Sequence, residues 1–181
     1  DLSKPFARVP MLKLLKDATG CDLGDVSDDE IQAVCKKNNI EVGGTWNYGQ
    51  MLDELMSKLV EPKLIHPTFI IDYPKAISPL AKVHRNGDPN LVERYELFIG
   101  GAEFANSFSE LNDPVDQRER LEAQAALKEK GDEEAQPVDE QFIQAMECRM
   151  PPTGGVGLGI DRLTMLLTEN RWIKDVILFP A

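Results

Sequence analysis

Residues 154–163 read Gly-Gly-Val-Gly-Leu-Gly-Ile-Asp-Arg-Leu, and two periodicities meet in this stretch. From Gly155 to Gly159 every second residue is glycine, so along an extended strand these glycines lie on one face. A face without side chains lets a flat ligand lie directly on the backbone. From Ile160 to Leu167 the apolar residues recur at helical spacing. The stretch therefore predicts a strand that runs straight into a helix.

Arg162 falls in the first turn of this predicted helix, beside the glycine face. A guanidinium there can stack on a purine ring or pair with a phosphate. A second interpretation fits the same spacing: a glycine-rich turn before a core helix, with Arg162 in a structural ion pair. A short glycine motif needs structural context to separate the two.

A second informative stretch lies on a predicted strand from Leu91 to Gly100. Glu96 precedes three apolar residues there, so its carboxylate belongs to an otherwise buried element. A buried carboxylate without a partner is costly, and a divalent cation removes that cost. Glu103, beyond a glycine break, can supply a second oxygen ligand. Mg²⁺ typically takes one or two protein carboxylates together with substrate phosphates.

The next extended segment carries Asn106, Phe108 and Glu110 at alternating positions. Alternate residues of a strand point to one face. An amide, an aromatic ring and a carboxylate on one wall suit a zwitterionic ligand with an alkylammonium group. The alternative is a half-exposed strand whose polar residues face water.

The remaining patterns indicate a sheet covered by helices. Residues 1–60 read as a short entry strand followed by helices, one of them opened by the capping box of Ser27 and Glu30. Strands are predicted at 68–73 and at 176–179, and the acidic run 131–140 is predicted to be an exposed loop. Periodicity alone leaves parallel and antiparallel pairing open.

Composition narrows the class of protein. The 181 residues are 42% hydrophobic and 28% charged, which is ordinary for a globular domain. The net charge of −11 disfavours tight nucleic-acid binding by this chain alone. The three cysteines form neither a zinc pattern nor a disulfide framework, which fits a reducing cytoplasm. No apolar run approaches the ~20 residues of a membrane helix.

Together these stretches resemble the class II aminoacyl-tRNA synthetases. Gly155–Arg162 is similar to the third signature motif of that class, and the match is closer still to the lysyl-tRNA synthetases. Further similar segments follow in order, at 73–82, 103–113, 150–153 and 175–181. The resemblance implies an α+β fold with a mainly antiparallel sheet flanked by helices. It divides the chain into a helical subdomain, 1–60, and a C-terminal catalytic core with the third motif, 61–181.

The resemblance also implies roles for the ATP side of a site. It assigns ATP binding to Glu96, Glu103, Gly159 and Arg162. The two glutamates would be the Mg²⁺ ligands that bridge the ATP phosphates, and Arg162 would be the catalytic arginine that clamps ATP.

On the amino-acid side, the resemblance assigns lysine binding to Asn106, Phe108, Glu110 and Gly157, with Glu110 toward the ε-ammonium. The implied enzyme is a lysine–tRNA ligase that forms lysyl-adenylate from ATP and L-lysine and passes the lysyl group to tRNA(Lys). The full-length enzyme is expected to be a cytoplasmic homodimer without membrane contact.

Several features depart from the family pattern. Arg149 stands where glycine is usual. The chain begins with Asp1 and shows neither the first two class II motifs nor an anticodon-binding domain. We therefore expect a piece of a longer protein that is inactive alone, and robust lysine-dependent ATP–pyrophosphate exchange by the isolated chain would refute this.

Two other functions stay open. An aspartyl- or asparaginyl-tRNA synthetase shares the third motif, but Glu110 would repel aspartate. A non-catalytic paralogue or interaction module would keep the sheet without the chemistry.

Overall fold

The described chain folds around one sheet. A computed structural model describes residues 2–43, 46–129 and 138–180, and within these ranges the strands are β1 (Ala7–Pro10), β2 (Thr68–Pro74), β3 (Leu91–Ile99), β4 (Ala102–Ser109) and β5 (Gly154–Leu158). They lie side by side in chain order. β1 is parallel to β2, and the other neighbours are antiparallel. The predicted α+β class with a mainly antiparallel sheet is confirmed.

The α-helices of the same ranges are α1 (Met11–Thr19), α2 (Asp28–Lys37), α3 (Tyr48–Leu59), α4 (Pro114–Glu129), α5 (Glu140–Glu147) and α6 (Ile160–Leu167). The predicted capping box is present: the Ser27 hydroxyl accepts from the Glu30 backbone, and Glu30 accepts from the Ser27 backbone. Asn47 and Gln50 open α3 in the same way. Neither α6 nor any other helix of the described ranges combines the length and apolarity needed to cross a membrane.

Helices α1 to α3 share one hydrophobic core with the sheet. Leu15, Ile31 and Leu52, one from each helix, are fully buried together with Ile70 of β2 and Val92 of β3. Burial of such aliphatic side chains is the main favourable term in folding. The predicted domain boundary at residue 60 stays a prediction, and the two parts meet in this core.

A hairpin and a bulge decide which face the acidic side chains of β3 and β4 occupy. Gly100 and Gly101 both have positive φ, 63° and 78°, and form the tight turn between the two strands. The register then shifts, so that Leu97 pairs with Ala105 whereas Phe98 pairs with Glu103. This bulge changes the alternation along β4. Glu103 therefore lies on the same face as Asn106, although three positions separate them.

Helices α4 and α5 form a smaller layer with its own cluster of Leu121, Ile143 and Met146. Arg118 of α4 makes an exposed bidentate pair with Glu140 of α5, with distances of 2.6 and 2.8 Å. The predicted acidic loop lies mostly outside the described residues, and α5 already begins at Glu140.

The predicted strand at 176–179 is wrong. Residues 176–179 form turns and bends after a 3₁₀ turn at Ile173–Asp175, and Leu178 and Phe179 are 89% and 92% exposed. Apolar β-formers make a strand only where a neighbouring strand pairs with them. Within the described ranges no strand reaches this segment.

Arg149 adopts the left-handed region with φ of 75°, between α5 and Pro151. A non-glycine residue in this region costs roughly 1–2 kcal/mol. Arg149 therefore occupies a backbone conformation that glycine would adopt without this cost.

Candidate functional site

The glycine face of β5 lies open above the sheet. Gly157 pairs with Asn106, and Gly155 pairs with Phe108, so these residues share one face as the alternation predicted. A Cβ built at Gly157 would meet only the Asn106 carbonyl oxygen, at the ordinary contact distance of 3.8 Å. Gly157 also has no positive φ. Neither packing nor backbone geometry requires this glycine, which favours a ligand as the reason for it.

Gly155 leaves space for a neighbouring side chain and not for a ligand. A Cβ at this position would collide with Oε1 of Glu110, so the glycine makes room for the carboxylate. Burial raises the pKa of the Glu110 carboxyl. Its backbone N–H donates to the Thr153 carbonyl at 2.9 Å, which ties the end of β4 to the segment before β5.

Glu96, Glu103 and Arg162 converge although they are far apart in sequence. All three line one cavity of about 470 Å³ on the helix-covered side of the sheet. The Arg162 guanidinium donates to the Glu103 carbonyl at 2.5 Å, and its Nη1 lies 3.9 Å from Oε2 of the same residue. The arginine side chain lines the cavity and stays half exposed, so its other N–H groups are accessible to a ligand.

Glu96 is held rigidly at the floor of this cavity. Tyr73 Oη donates to Oε2 at 2.7 Å, and Arg94 Nη2 donates to Oε1 at 2.6 Å. Burial first, and then the charge of Glu96, raise the pKa of the Tyr73 hydroxyl, so it remains a donor. Each carboxylate oxygen keeps a second lone pair that is able to bind a cation.

Glu61 adds a third carboxylate to the same cavity. Burial raises the pKa of its carboxyl, and the nearby charges of Glu96 and Glu103 raise it further. The cavity therefore concentrates negative charge, which a bound cation would neutralise.

The donor set fits Mg²⁺, which prefers carboxylate oxygens. Within the described ranges, no three His, Cys, Asp or Glu side chains lie close enough to hold a metal ion by themselves. Two glutamates plus the oxygen atoms of a bound phosphate match the way Mg²⁺ is usually held at phosphate sites.

The other predicted residues lie along the same sheet face but outside this cavity. The Asn106 carboxamide oxygen accepts from Arg94 Nε at 3.2 Å, and Phe108 packs against the hydrophobic core. Glu110 lines a second cavity of about 490 Å³ with Thr153. Gly159 caps α6 and donates its N–H to the Phe104 carbonyl at 2.9 Å.

Comparison with known proteins identifies the family of this chain. Residues 1–181 match the protein family described as tRNA synthetases class II (D, K and N). The chain belongs to this class II family.

Similar members of the class II family are named lysine–tRNA ligase. The chain is 56% identical over 182 residues to the one from Nostoc sp., covering 99% of this chain and 32% of the relative. It is 54% identical over 182 residues to the one from Gloeobacter violaceus, covering 100% and 36%. It is 48% identical over 180 residues to the one from Porphyromonas gingivalis, covering 99% and 31%. The chain thus spans about a third of the length of these curated relatives.

Sequence reasoning missed three residues of this cavity: Glu61, Tyr73 and Arg94. Glu61 stands alone before Pro62, and Tyr73 and Arg94 look like ordinary strand residues. They reach the cavity only because β2, β3 and the 3₁₀ turn Glu61–Lys63 pack together. Contacts between segments that are distant in the chain leave no periodic pattern in the local sequence.

Proposed function

We propose that this chain carries half of the ATP and lysine sites of a lysine–tRNA ligase. One observation carries the proposal: Glu96, Glu103 and Arg162 surround a common cavity beside an open glycine strand. The names of the similar proteins support lysine as the amino acid.

In the first step, a carboxylate oxygen of lysine attacks the α-phosphorus of ATP. The bond from this phosphorus to the oxygen that bridges to the β-phosphate breaks, and pyrophosphate leaves with that oxygen. Such a reaction needs in-line positioning and charge neutralisation, and the protein contributes no covalent nucleophile. Arg162 donates hydrogen bonds to the phosphate oxygens, and Gly159 lies under the nucleotide.

Glu96 and Glu103 would hold Mg²⁺, which when bound neutralises charge on the phosphate oxygens. Tyr73 and Arg94 fix the Glu96 carboxylate before the substrate arrives. Preorganised charges of this kind avoid reorganisation during the reaction.

The lysine side of the site uses the outer part of β4. Glu110 accepts from the ε-ammonium, Phe108 and Gly157 border the alkyl chain, and Asn106 binds the other end of the amino acid. A site with a half-buried carboxylate disfavours an apolar substrate, because that charge would stay unpaired. Glu110 would also repel the side chain of aspartate, which disfavours an aspartate–tRNA ligase.

In the second step, a hydroxyl at the 3′ end of tRNA(Lys) attacks the lysyl carbonyl, and AMP leaves. We propose that this enzyme works in the cytoplasm as a homodimer. The acidic chain described here has a net charge of −11, so other parts of the enzyme would supply most of the attraction for tRNA.

The test is ATP–pyrophosphate exchange by the protein made from its complete reading frame. Exchange that depends on lysine, with aspartate and asparagine inactive, is the expected result. Exchange driven by aspartate or asparagine would assign a sister enzyme instead. The absence of exchange with all three amino acids would favour an interaction module.

Glu110→Gln is expected to lower kcat/KM for lysine by roughly 10- to 150-fold, because a charge-assisted hydrogen bond becomes a neutral one. The KM for ATP should change little. Exchange kinetics at varied lysine and at varied ATP measure both values. Glu119→Gln, on the exposed face of α4, is the matched control. Equal losses for both substrates would refute the role of Glu110.

Gly157→Ala is expected to change the free energy of unfolding by no more than about 0.5 kcal/mol, since the added methyl has space and the strand loses a flexible residue. The methyl would nevertheless occupy the floor of the lysine site and lower kcat/KM for lysine. Thermal unfolding and exchange kinetics measure the two effects. Val156→Ala, on the opposite face of β5 with the residue 67% exposed, should leave both unchanged.

A further inference from the structure

Arg94 lies between the two halves of the proposed site. From the middle of β3 it donates from Nη2 to Oε1 of Glu96 at 2.6 Å and from Nε to Oδ1 of Asn106 at 3.2 Å. The first partner belongs to the proposed ATP side and the second to the proposed lysine side. One guanidinium therefore connects groups assigned to different substrates.

The guanidinium is itself fixed in place. Nη1 donates to the Ile77 carbonyl at 2.8 Å and to the Ser78 hydroxyl at 3.0 Å. Its Cζ lies 4.6 Å from the centre of the Tyr73 ring, a stacking contact. The side chain is only 17% exposed. Four partners on its edges and one on its face leave this planar group little freedom to turn.

The contact with Arg94 decides the orientation of the Asn106 amide. Arginine has only donors, so the Asn106 atom that faces it must be the carboxamide oxygen. The NH₂ group then faces away from Arg94. An NH₂ group recognises an acceptor, and in lysine the only acceptor is the α-carboxylate, because both of its ammonium groups are donors.

The contact with Glu96 orients an acceptor, whereas the contact with Asn106 orients a donor. It neutralises part of the charge of the carboxylate and, with Tyr73, leaves the outer lone pairs directed away from these donors. A lysine at position 94 would keep the charge but present a point donor in place of a planar fork. It could reach one of the two partners in good geometry, not both.

We infer that Arg94 is a positioning residue that orients Asn106 toward the lysine carboxylate and Glu96 toward the phosphate side. This inference rests on the proposed function, whose separate test is lysine-dependent exchange by the unaltered enzyme. Arg94 acts through its two partners and does not itself contact substrate.

Calorimetric titration of the enzyme with L-lysine alone, without ATP or Mg²⁺, tests whether Arg94 orients Asn106 toward the lysine carboxylate. Arg94→Lys is expected to weaken lysine binding at least about tenfold. In a double-mutant cycle with Asn106→Ala, the second change should add little to the first, because both remove the same oriented donor. Independent, multiplicative losses would overturn the inference.

A buried arginine of α4 that binds the same turn shows whether Arg94 positions Asn106 or only anchors the turn. Arg120 donates to the Ser78 and Ala81 carbonyls. Arg120→Lys should therefore disturb the turn without altering the coupling between positions 94 and 106. If Arg120→Lys reproduces the lysine-binding defect of Arg94→Lys, Arg94 only anchors the turn and the inference fails.

Asn106→Asp provides a readout that does not depend on the folding of an Arg94 variant. Aspartate keeps the acceptor for Arg94, so the unfolding midpoint should not fall. It replaces the outward donor by an acceptor, so lysine affinity should fall at least about tenfold. Equal or tighter binding would mean that Asn106 presents its oxygen to an ammonium, and would overturn the inference. An unaltered enzyme that binds no lysine would refute the proposed function instead.

Discussion

Arg162→Met is expected to lower kcat/KM for ATP by about 10²–10³-fold, the usual loss when one preorganised donor at a reacting centre is removed. The side chain leaves the first turn of α6 and reaches the cavity that Glu96 and Glu103 also line. Its bond to the Glu103 carbonyl aims the guanidinium before ATP arrives. ATP–pyrophosphate exchange at varied ATP measures this loss.

The same change should leave the fold intact. The arginine side chain is 50% exposed, and its contact with the Glu103 carboxylate is long at 3.9 Å. Exposed pairs of this kind contribute little to stability. Thermal unfolding of Arg162→Met should therefore match that of the unaltered enzyme.

Arg171→Met is the matched control for Arg162→Met. Arg171 follows α6, is exposed, and does not line the cavity of Glu96. Exchange by this variant should equal that of the unaltered enzyme. If Arg162→Met instead lowers the unfolding temperature and leaves the ATP kinetics unchanged, Arg162 belongs to a structural ion pair, which was the second interpretation of the glycine stretch.

The parts of this molecule that local periodicity controls were predictable from the sequence. The alternating glycines of β5, the apolar repeat of α6 and the capping box of α2 each act within a few residues. Their prediction needed no knowledge of what packs against them. The resemblance to a known family supplied the mainly antiparallel pairing, which periodicity had left open.

The failures involve partners that are distant in the chain. The segment 176–179 has the composition of a strand, but no neighbour pairs with it in the described ranges. The bulge at Phe104 brings Glu103 to the face of Asn106, and alternation along β4 would have placed them on opposite faces. Glu61 and Arg94 join the site through packing alone. The roles of the eight predicted site residues stay predictions until the variants are measured.

Arg120→Met is expected to lower the free energy of unfolding by about 3–5 kcal/mol, the cost of breaking a buried ion pair by removing one partner. The Arg120 side chain is 6% exposed and makes a bidentate pair with Asp116 at 2.9 and 2.7 Å. It also donates to two carbonyls, at 3.1 Å to Ser78 and 2.7 Å to Ala81. Chemical denaturation of both proteins at neutral pH measures the difference.

The loss should depend on pH in a defined direction. Hydrogen bonding to Arg120 holds the pKa of Asp116 below its ordinary value of 3.8. A lowered folded-state pKa stabilises the protein above the unfolded-state pKa, and this contribution disappears as the pH falls through the folded-state value. The gap between the unaltered protein and Arg120→Met should therefore be full near pH 7 and shrink below about pH 4.

Arg118→Met is the control for burial, because it removes an arginine from an exposed ion pair of similar geometry. Arg118 lies on the same helix and makes an equally short bidentate pair with Glu140, but the two side chains are 36% and 57% exposed. Water replaces the lost partner there, so stability should hardly change. If both variants lose the same stability, the effect comes from helix α4 itself and not from a buried charge. If only Arg120→Met is destabilised, the loss comes from the buried guanidinium and the carbonyls of Ser78 and Ala81 that it binds.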